Sequence, residues 1–236
     1  MKHALTIILL VIISGCSFAQ DRFKLTLGTG LGQYKMDDLK EIQDTQENFF
    51  DGLDLERVEN FPMYPYYSGE ASVRIQKIIS VGLLYRLQST GCKSAYSDYS
   101  GVFKIEQIVK ANNAGILVDV DLWNKNKFSL SGQTRIYYGW TVLKYKEYLE
   151  IYSIDSGVYN STAELKSESV MINPDITFSY ELTQHFFANL SLGYCTDLRG
   201  DITNTGNDQT VRNFNGEIMQ TDWSGFRFGV SASYKF

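Results

Sequence analysis

Apolar and polar residues alternate along most of the chain with a period of two. The clearest stretch is the last. Phe226, Phe228, Val230, Ala232, Tyr234 and Phe236 fall on one face, and Gly225, Arg227, Gly229, Ser231, Ser233 and Lys235 on the other. Successive side chains of a β-strand point to opposite faces, so such a segment is a ribbon with one greasy and one polar side. The split recurs. Leu25, Leu27 and Leu31 oppose Lys24, Thr26 and Gly30; Ala71 and Val73 oppose Glu70, Ser72 and Arg74; Val81, Leu83, Tyr85 and Leu87 oppose Gly82, Arg86 and Gln88. Further on, Ile116, Val118 and Val120 oppose Asp119 and Asp121, Ile136 and Tyr138 oppose Gln133 and Arg135, Ile172, Ile176 and Phe178 oppose Asn173, Asp175 and Thr177, and Leu190 and Leu192 oppose Asn189 and Ser191.

This predicts about eight strands, each near the ~9–11 residues that a tilted strand needs to cross a membrane. The stretch 101–123 is longer than one crossing requires and leaves ten strands open. Short polar turns are expected at Gln76–Lys77, Asn124–Lys127 and Thr183–His185. Long links are expected at Lys35–Phe61, Lys93–Gly101, Glu150–Ala163 and Arg199–Gly216. Short turns on one rim and long loops on the other, with a lipid-facing apolar side, make the expected fold all-β: a closed antiparallel up-and-down transmembrane β-barrel. A lipocalin-like soluble barrel would need an apolar interior, and this one reads polar.

Composition fits that picture. The chain has 19 Gly, 16 Tyr and 14 Phe but only 3 Pro, and a net charge of −5, which speaks against a nucleic-acid partner. Residues 1–19 read as a signal peptide, with Lys2 and His3 ahead of an apolar run from Leu5 to Ile13 that is too short to span as a helix. Ser17-Phe18-Ala19 suits cleavage after Ala19, leaving 20–236 as the barrel domain. Ile13-Ser14-Gly15-Cys16 also resembles a lipobox, which would leave Cys16 lipidated instead. Either way the chain is exported.

The terminal run Phe226–Phe236, with its final Phe236 and apolar residues such as Phe228 and Tyr234 at every second position, looks like the signal read by the outer-membrane barrel assembly machinery. The whole exported chain resembles the small eight-stranded outer-membrane barrels typified by OmpX and the transmembrane domain of OmpA. The resemblance covers architecture and this terminal motif. It implies a place in the cell outer membrane, outer-membrane lipid and the assembly machinery as partners, and a monomer. It implies no single activity, since such barrels include adhesins, anchors and lipid-modifying enzymes.

An eight-stranded barrel leaves an interior just wide enough for side chains. Strand parity puts Lys24, Arg74, Arg86, Arg135, Arg227 and Lys235 inside, with Glu70, Asp119, Asp121, Asp175 and Glu181. Buried charges need partners, so these residues are expected to interlock as a structural ion-pair network that plugs the lumen. A narrow pore or small-ligand channel is the alternative.

Catalytic chemistry finds little footing. Beyond the signal the one histidine is His185, in a short turn, and no nucleophile-elbow, zinc-protease or P-loop pattern occurs. An outer-leaflet lipid-modifying enzyme is therefore a second alternative, and no catalytic, cofactor or metal residue is assigned. Gly28-Thr29-Gly30-Leu31-Gly32 lies inside a strand, where glycine relieves crowding. The loop 35–61 holds nine acids against Lys35, Lys40 and Arg57. Leu39, Ile42, Phe49 and Leu53 recur at near-helical spacing there, predicting a short amphipathic helix folded over the mouth. The long loops, with Tyr145, Tyr148, Tyr152 and Tyr159 in or beside the third, are candidates to meet an extracellular protein or other surface partner, strand addition being one route. Cys92 and Cys195 fall on opposite sides of an eight-stranded ring, too far apart for a direct bond.

Overall fold

The computed structural model describes residues 22–49, 56–152, 157–213 and 215–236. The expected signal peptide and Leu53 lie outside them. Eight strands form the wall: β1 (Phe23–Gly32), β2 (Tyr64–Arg74), β3 (Ile79–Ser97), β4 (Gly101–Lys125), β5 (Phe128–Ile151), β6 (Val158–Glu181), β7 (Phe186–Asp197) and β8 (Gly225–Lys235). Each pairs antiparallel with the next, and β8 returns to β1 with Leu27 opposite Ala232 and Leu31 opposite Phe228. The ring is therefore closed by backbone hydrogen bonds, which hydrocarbon demands because it offers no other partner to N–H and C=O groups.

The wall is inside-out relative to a water-soluble core. Leu27 is 72% exposed and Leu83 69%, whereas Arg86 is 4% and Asp119 3% exposed. Leu190, Leu192, Ile176, Ile116, Phe228 and Val230 complete the outward band. An apolar surface this continuous is stable only against lipid. Aromatic rings flank it. Phe128 packs on Tyr180 and Phe178 near the short turns, with ring centroids 5.0 and 5.6 Å apart, and Tyr138 meets Trp140 edge-on at 5.2 Å toward the other rim. Amphipathic rings favour the membrane interface, so the two clusters mark its two levels. The chain is an eight-stranded membrane β-barrel.

The strands are not all of crossing length. β3, β4, β5 and β6 have 19, 25, 24 and 24 residues, and this corrects the expectation of ~9–11 throughout. The segment 101–123 belongs to one long strand, and two of the expected long links are short. Residues 98–100 join β3 to β4, and 152–157 join β5 to β6.

The physical reason is a reversal of polarity along each long strand. In β4 the outward residues Ile116 and Val118 are apolar and the inward Asp119 is buried. Nearer the other end, outward Lys104 and Lys110 are exposed while inward Phe103, Ile105 and Val109 are buried. The switch near Asn112–Ala114 is where the strand leaves lipid for water. Beyond it the wall continues as a sheet with cross-strand ion pairs outside, Lys146–Glu106 at 3.4 Å and Lys144–Glu164 at 3.3 Å.

The inner face of that projecting sheet is covered by a helix, α1 (Asp37–Phe49), with Asp37 and Asp38 in its first turn, where the helix dipole favours negative charge. Leu39 and Met36 are fully buried, and Ile42 packs partly buried against the same cluster as Val109 and Leu143. The helix thus lies in the mouth, capping the barrel with an apolar core of its own.

Candidate functional site

Among the described residues, buried chemistry-bearing side chains gather in the interior of the barrel. It is built in tiers. Nearest the short turns, Lys24 Nζ lies 2.9 Å from Asp119 and Arg74 2.7 Å from Asp121. Above them Arg135 bridges two carboxylates. Its Nε donates to Glu70 at 2.9 Å, one terminal nitrogen donates to Asp175, and the other donates to Gln133 at 2.5 Å. These side chains are all under a tenth exposed. The triad carries one surplus negative charge.

Its counterweight stands one tier higher. Arg86 is sandwiched between the rings of Tyr66 and Tyr137, 4.5 and 4.7 Å from their centroids, and donates to Asn173 at 3.1 Å. Guanidinium stacks well on aromatic faces. The arginine that completes the series, Arg227, binds no carboxylate among the described residues. It donates to the carbonyls of Gln33 at 2.6 Å and Trp223 at 2.5 Å, and lies 4.6 Å over the Tyr34 ring.

The eleven sequence-selected lumen residues therefore divide. Lys24, Asp119, Arg74, Asp121, Glu70, Arg135 and Asp175 are joined as ion pairs. Arg86 and Arg227 are held by rings and carbonyls. Glu181 and Lys235 stand at the short-turn rim and share no ion pair among the described residues. The free space in the interior follows the same order. A cavity of about 210 Å³ opens at that rim, and a smaller one of about 20 Å³ lies beside the Glu70–Arg135 tier.

Glycine makes the packing possible. A Cβ on Gly30 would sit 2.1 Å from the Phe228 carbonyl oxygen and 2.5 Å from the Tyr66 ring. Gly229 faces the same Tyr66 hydroxyl. The tyrosine that flanks Arg86 occupies the space that side chains of β1 and β8 would otherwise fill.

Two features of the upper plug lie outside the residues picked from the sequence. Trp223 is fully buried, donates from Nε1 to Thr141 at 2.9 Å, and meets Tyr34 edge-on at 5.1 Å. Asp197 fixes it by accepting from its backbone N–H at 2.9 Å. Gln43 of α1, also fully buried, donates to Ser94 and accepts from Cys92 and Gln107 at 3.3 Å each. Both had a visible signal: a lone Trp in a polar loop, and one amide on the apolar stripe of an acidic helix. Neither Cys92 nor Cys195 is in a disulfide, and both are buried.

The remaining candidates are peripheral. His185 is exposed in its turn, its Nδ1 2.8 Å from the Lys235 carbonyl oxygen and its ring stacked on Tyr234. Phe228 faces outward, and Tyr234 and Phe236 pack edge-on at 4.7 Å. Of the loop acids, Asp38 accepts from the Gln220 backbone at 2.8 Å, and Asp51 and Asp54 lie outside the described residues. No cluster of three metal-ligating side chains occurs among the described residues. At the tip of the β3–β4 turn, Asp98 accepts from the Ser100 hydroxyl and backbone, Tyr96 and the Gly101 backbone, which holds its carboxyl down at about 2.

No protein-family model matches the chain, and neither does any curated protein. Among solved structures it is similar to the N-terminal β-barrel domain of Pseudomonas aeruginosa OprF, at 12% identity over 92% of this chain and 98% of that one, TM-score 0.37. It is similar to Ail, the attachment invasion locus protein of Yersinia pestis, at 8% identity over 92% and 99%, TM-score 0.39. It is also similar to the outer membrane protease OmpT of Escherichia coli, at 10% identity over 92% and 97%, TM-score 0.39. None of the roles those names state carries over at such distances. The architecture stands on the closed strand register and the lipid-facing belt.

Proposed function

We propose that this protein is a non-enzymatic outer-membrane barrel, exported by its N-terminal signal, whose lumen is sealed by its own charged side chains and whose projecting half is a surface-interaction platform. The observation that carries this reading is the burial of the Glu70–Arg135–Asp175 triad across the interior, its side chains all under a tenth exposed. Buried charges bound this way act as filling, because each is already committed to a partner. The triad and the tiers above it serve as a structural plug. The non-enzymatic part is supported by the position of His185, solvated at the short-turn rim and engaged with a backbone carbonyl.

The interaction part rests on an edge. Residues 158–163 of β6 pair with β5 on one side and have no strand partner on the other among the described residues. Val158 and Tyr159 there are more than half exposed. A free edge of six residues with exposed apolar side chains is a template for an extended peptide of a partner.

Single-channel recording in planar bilayers tests the seal: silence at moderate voltage is expected, and steady unit conductance of the unmodified protein would refute it. Envelope fractionation with surface proteolysis tests the placement. Cuts within 35–61 with protection at 124–127 are expected, and cleavage at 124–127 in intact cells would reverse the orientation.

A further inference from the structure

The cavity of about 210 Å³ at the short-turn rim has charges that the plug does not use. It is lined by Lys24, Arg74, Asp119, Asp121, Glu181 and Lys235, with serine hydroxyls between them. Lys24–Asp119 and Arg74–Asp121 neutralise each other at 2.9 and 2.7 Å. Two polar elements are left over. Lys235 stands directly across the β1–β8 ladder from Lys24, a like charge whose carboxylate partner is already Asp119, and has no ion pair of its own among the described residues. Like charges opposite one another in a sheet repel, so an anion beside Lys235 is favoured. Glu181, across the cavity lining, is likewise without an ion pair among the described residues. Asp119 itself is 3% exposed and its Oδ2 is committed to Lys24.

The surplus is thus one ammonium and one carboxylate in a single recess. Phe187 supplies an apolar wall beside them.

We propose that this recess is a binding site for a small zwitterion of the amino-acid class. Its carboxylate meets Lys235, and its ammonium meets Glu181. The compartment it samples follows from the orientation proposed above and would be the periplasm; the site itself does not depend on that reading or on the seal.

The test is titration calorimetry, with amide chemical shifts as a second readout, on the full-length barrel in uncharged maltoside micelles. The probes are glycine, β-alanine and 4-aminobutyrate, which vary the spacing between the charges, and methylammonium and acetate as half-ligands. Saturable binding of at least one amino acid is expected, tighter than either half-ligand. Glu181→Gln and Lys235→Gln should each weaken it about tenfold, the usual cost of one charge-assisted contact, with unfolding transitions unchanged. No saturable binding of any of the three amino acids would overturn the proposal. So would affinity unchanged from the unaltered protein in either variant, or a half-ligand that binds as tightly as the best amino acid, since that describes a simple ion site. Bilayer conductance, read separately, distinguishes failure of this site from failure of the seal.

Discussion

At the scale of single residues the interior is decided by charge commitment. Arg135 serves two carboxylates, so replacing it by alanine leaves Glu70 and Asp175 buried and facing each other. Breaking a buried pair from one side costs about 3–5 kcal/mol. Arg135→Ala should lower stability by that order in urea titration of the micellar protein, and Arg135→Ala with Glu70→Ala should recover part of the loss. A double variant as unstable as the single one would show that the triad does not act as a unit. Asp98 makes a separate prediction, on pH. Its folded value of about 2 lies below the ordinary 3.8, so its contribution is complete above the ordinary carboxylate range and disappears as pH falls through about 2. The amide of Ser100 should stay slow to exchange at pH 3 and lose that protection in Asp98→Ala. Its acceptors are solvent-facing, so the effect stays local to the turn.

Elements show what the sequence made legible and what it hid. Alternation identified every wall strand where one side meets lipid, because there the two faces differ by a whole solvent. It misread Lys93–Gly101 and Glu150–Ala163 as long links. There the sheet stands outside lipid, and in the adjoining part of β4 the greasy side is the inner one: Phe103 and Ile105 are buried while Lys104 faces water. Periodicity persists through the reversal, and the spacing of Leu39 and Ile42 announced the helix over the mouth, but no local pattern told which strand residues stand outside lipid. The ionic tiers were legible only as a set of inward charges. Which acid meets which base depends on strand stagger, and Trp223 comes from a loop with no period at all. The helix gives its own prediction. Gln43→Ala removes the partner of Cys92, Ser94 and Gln107, and should loosen α1 by about 1–3 kcal/mol. Alkylation of Cys92 by a maleimide should then be faster than in the unaltered protein, while Cys195 reacts as before. Equal acceleration of both thiols would mean that the whole barrel, and not the cap, had been weakened.

For the molecule as a whole, the reversal near Asn112–Ala114 defines a level. A tryptophan introduced at Ile116 should be quenched strongly by brominated lipid, and one at Lys104 hardly at all. Quenching at Lys104 would move the bilayer surface beyond the projecting sheet and sink the division into a lipid half and a water half. The four long strands cross that level unbroken, so the two halves cannot be separate domains joined by a hinge.

That continuity fixes immersion depth. A barrel that was greasy along its whole length could bob in the bilayer. Here sinking by two residues along β5 would drag Lys144 and its neighbours toward hydrocarbon, and rising by two would lift Tyr138 and Trp140 into water. In a thicker or thinner bilayer the lipids must stretch or compress around the wall, or the cylinder must lean, because its waterline is written into the strands.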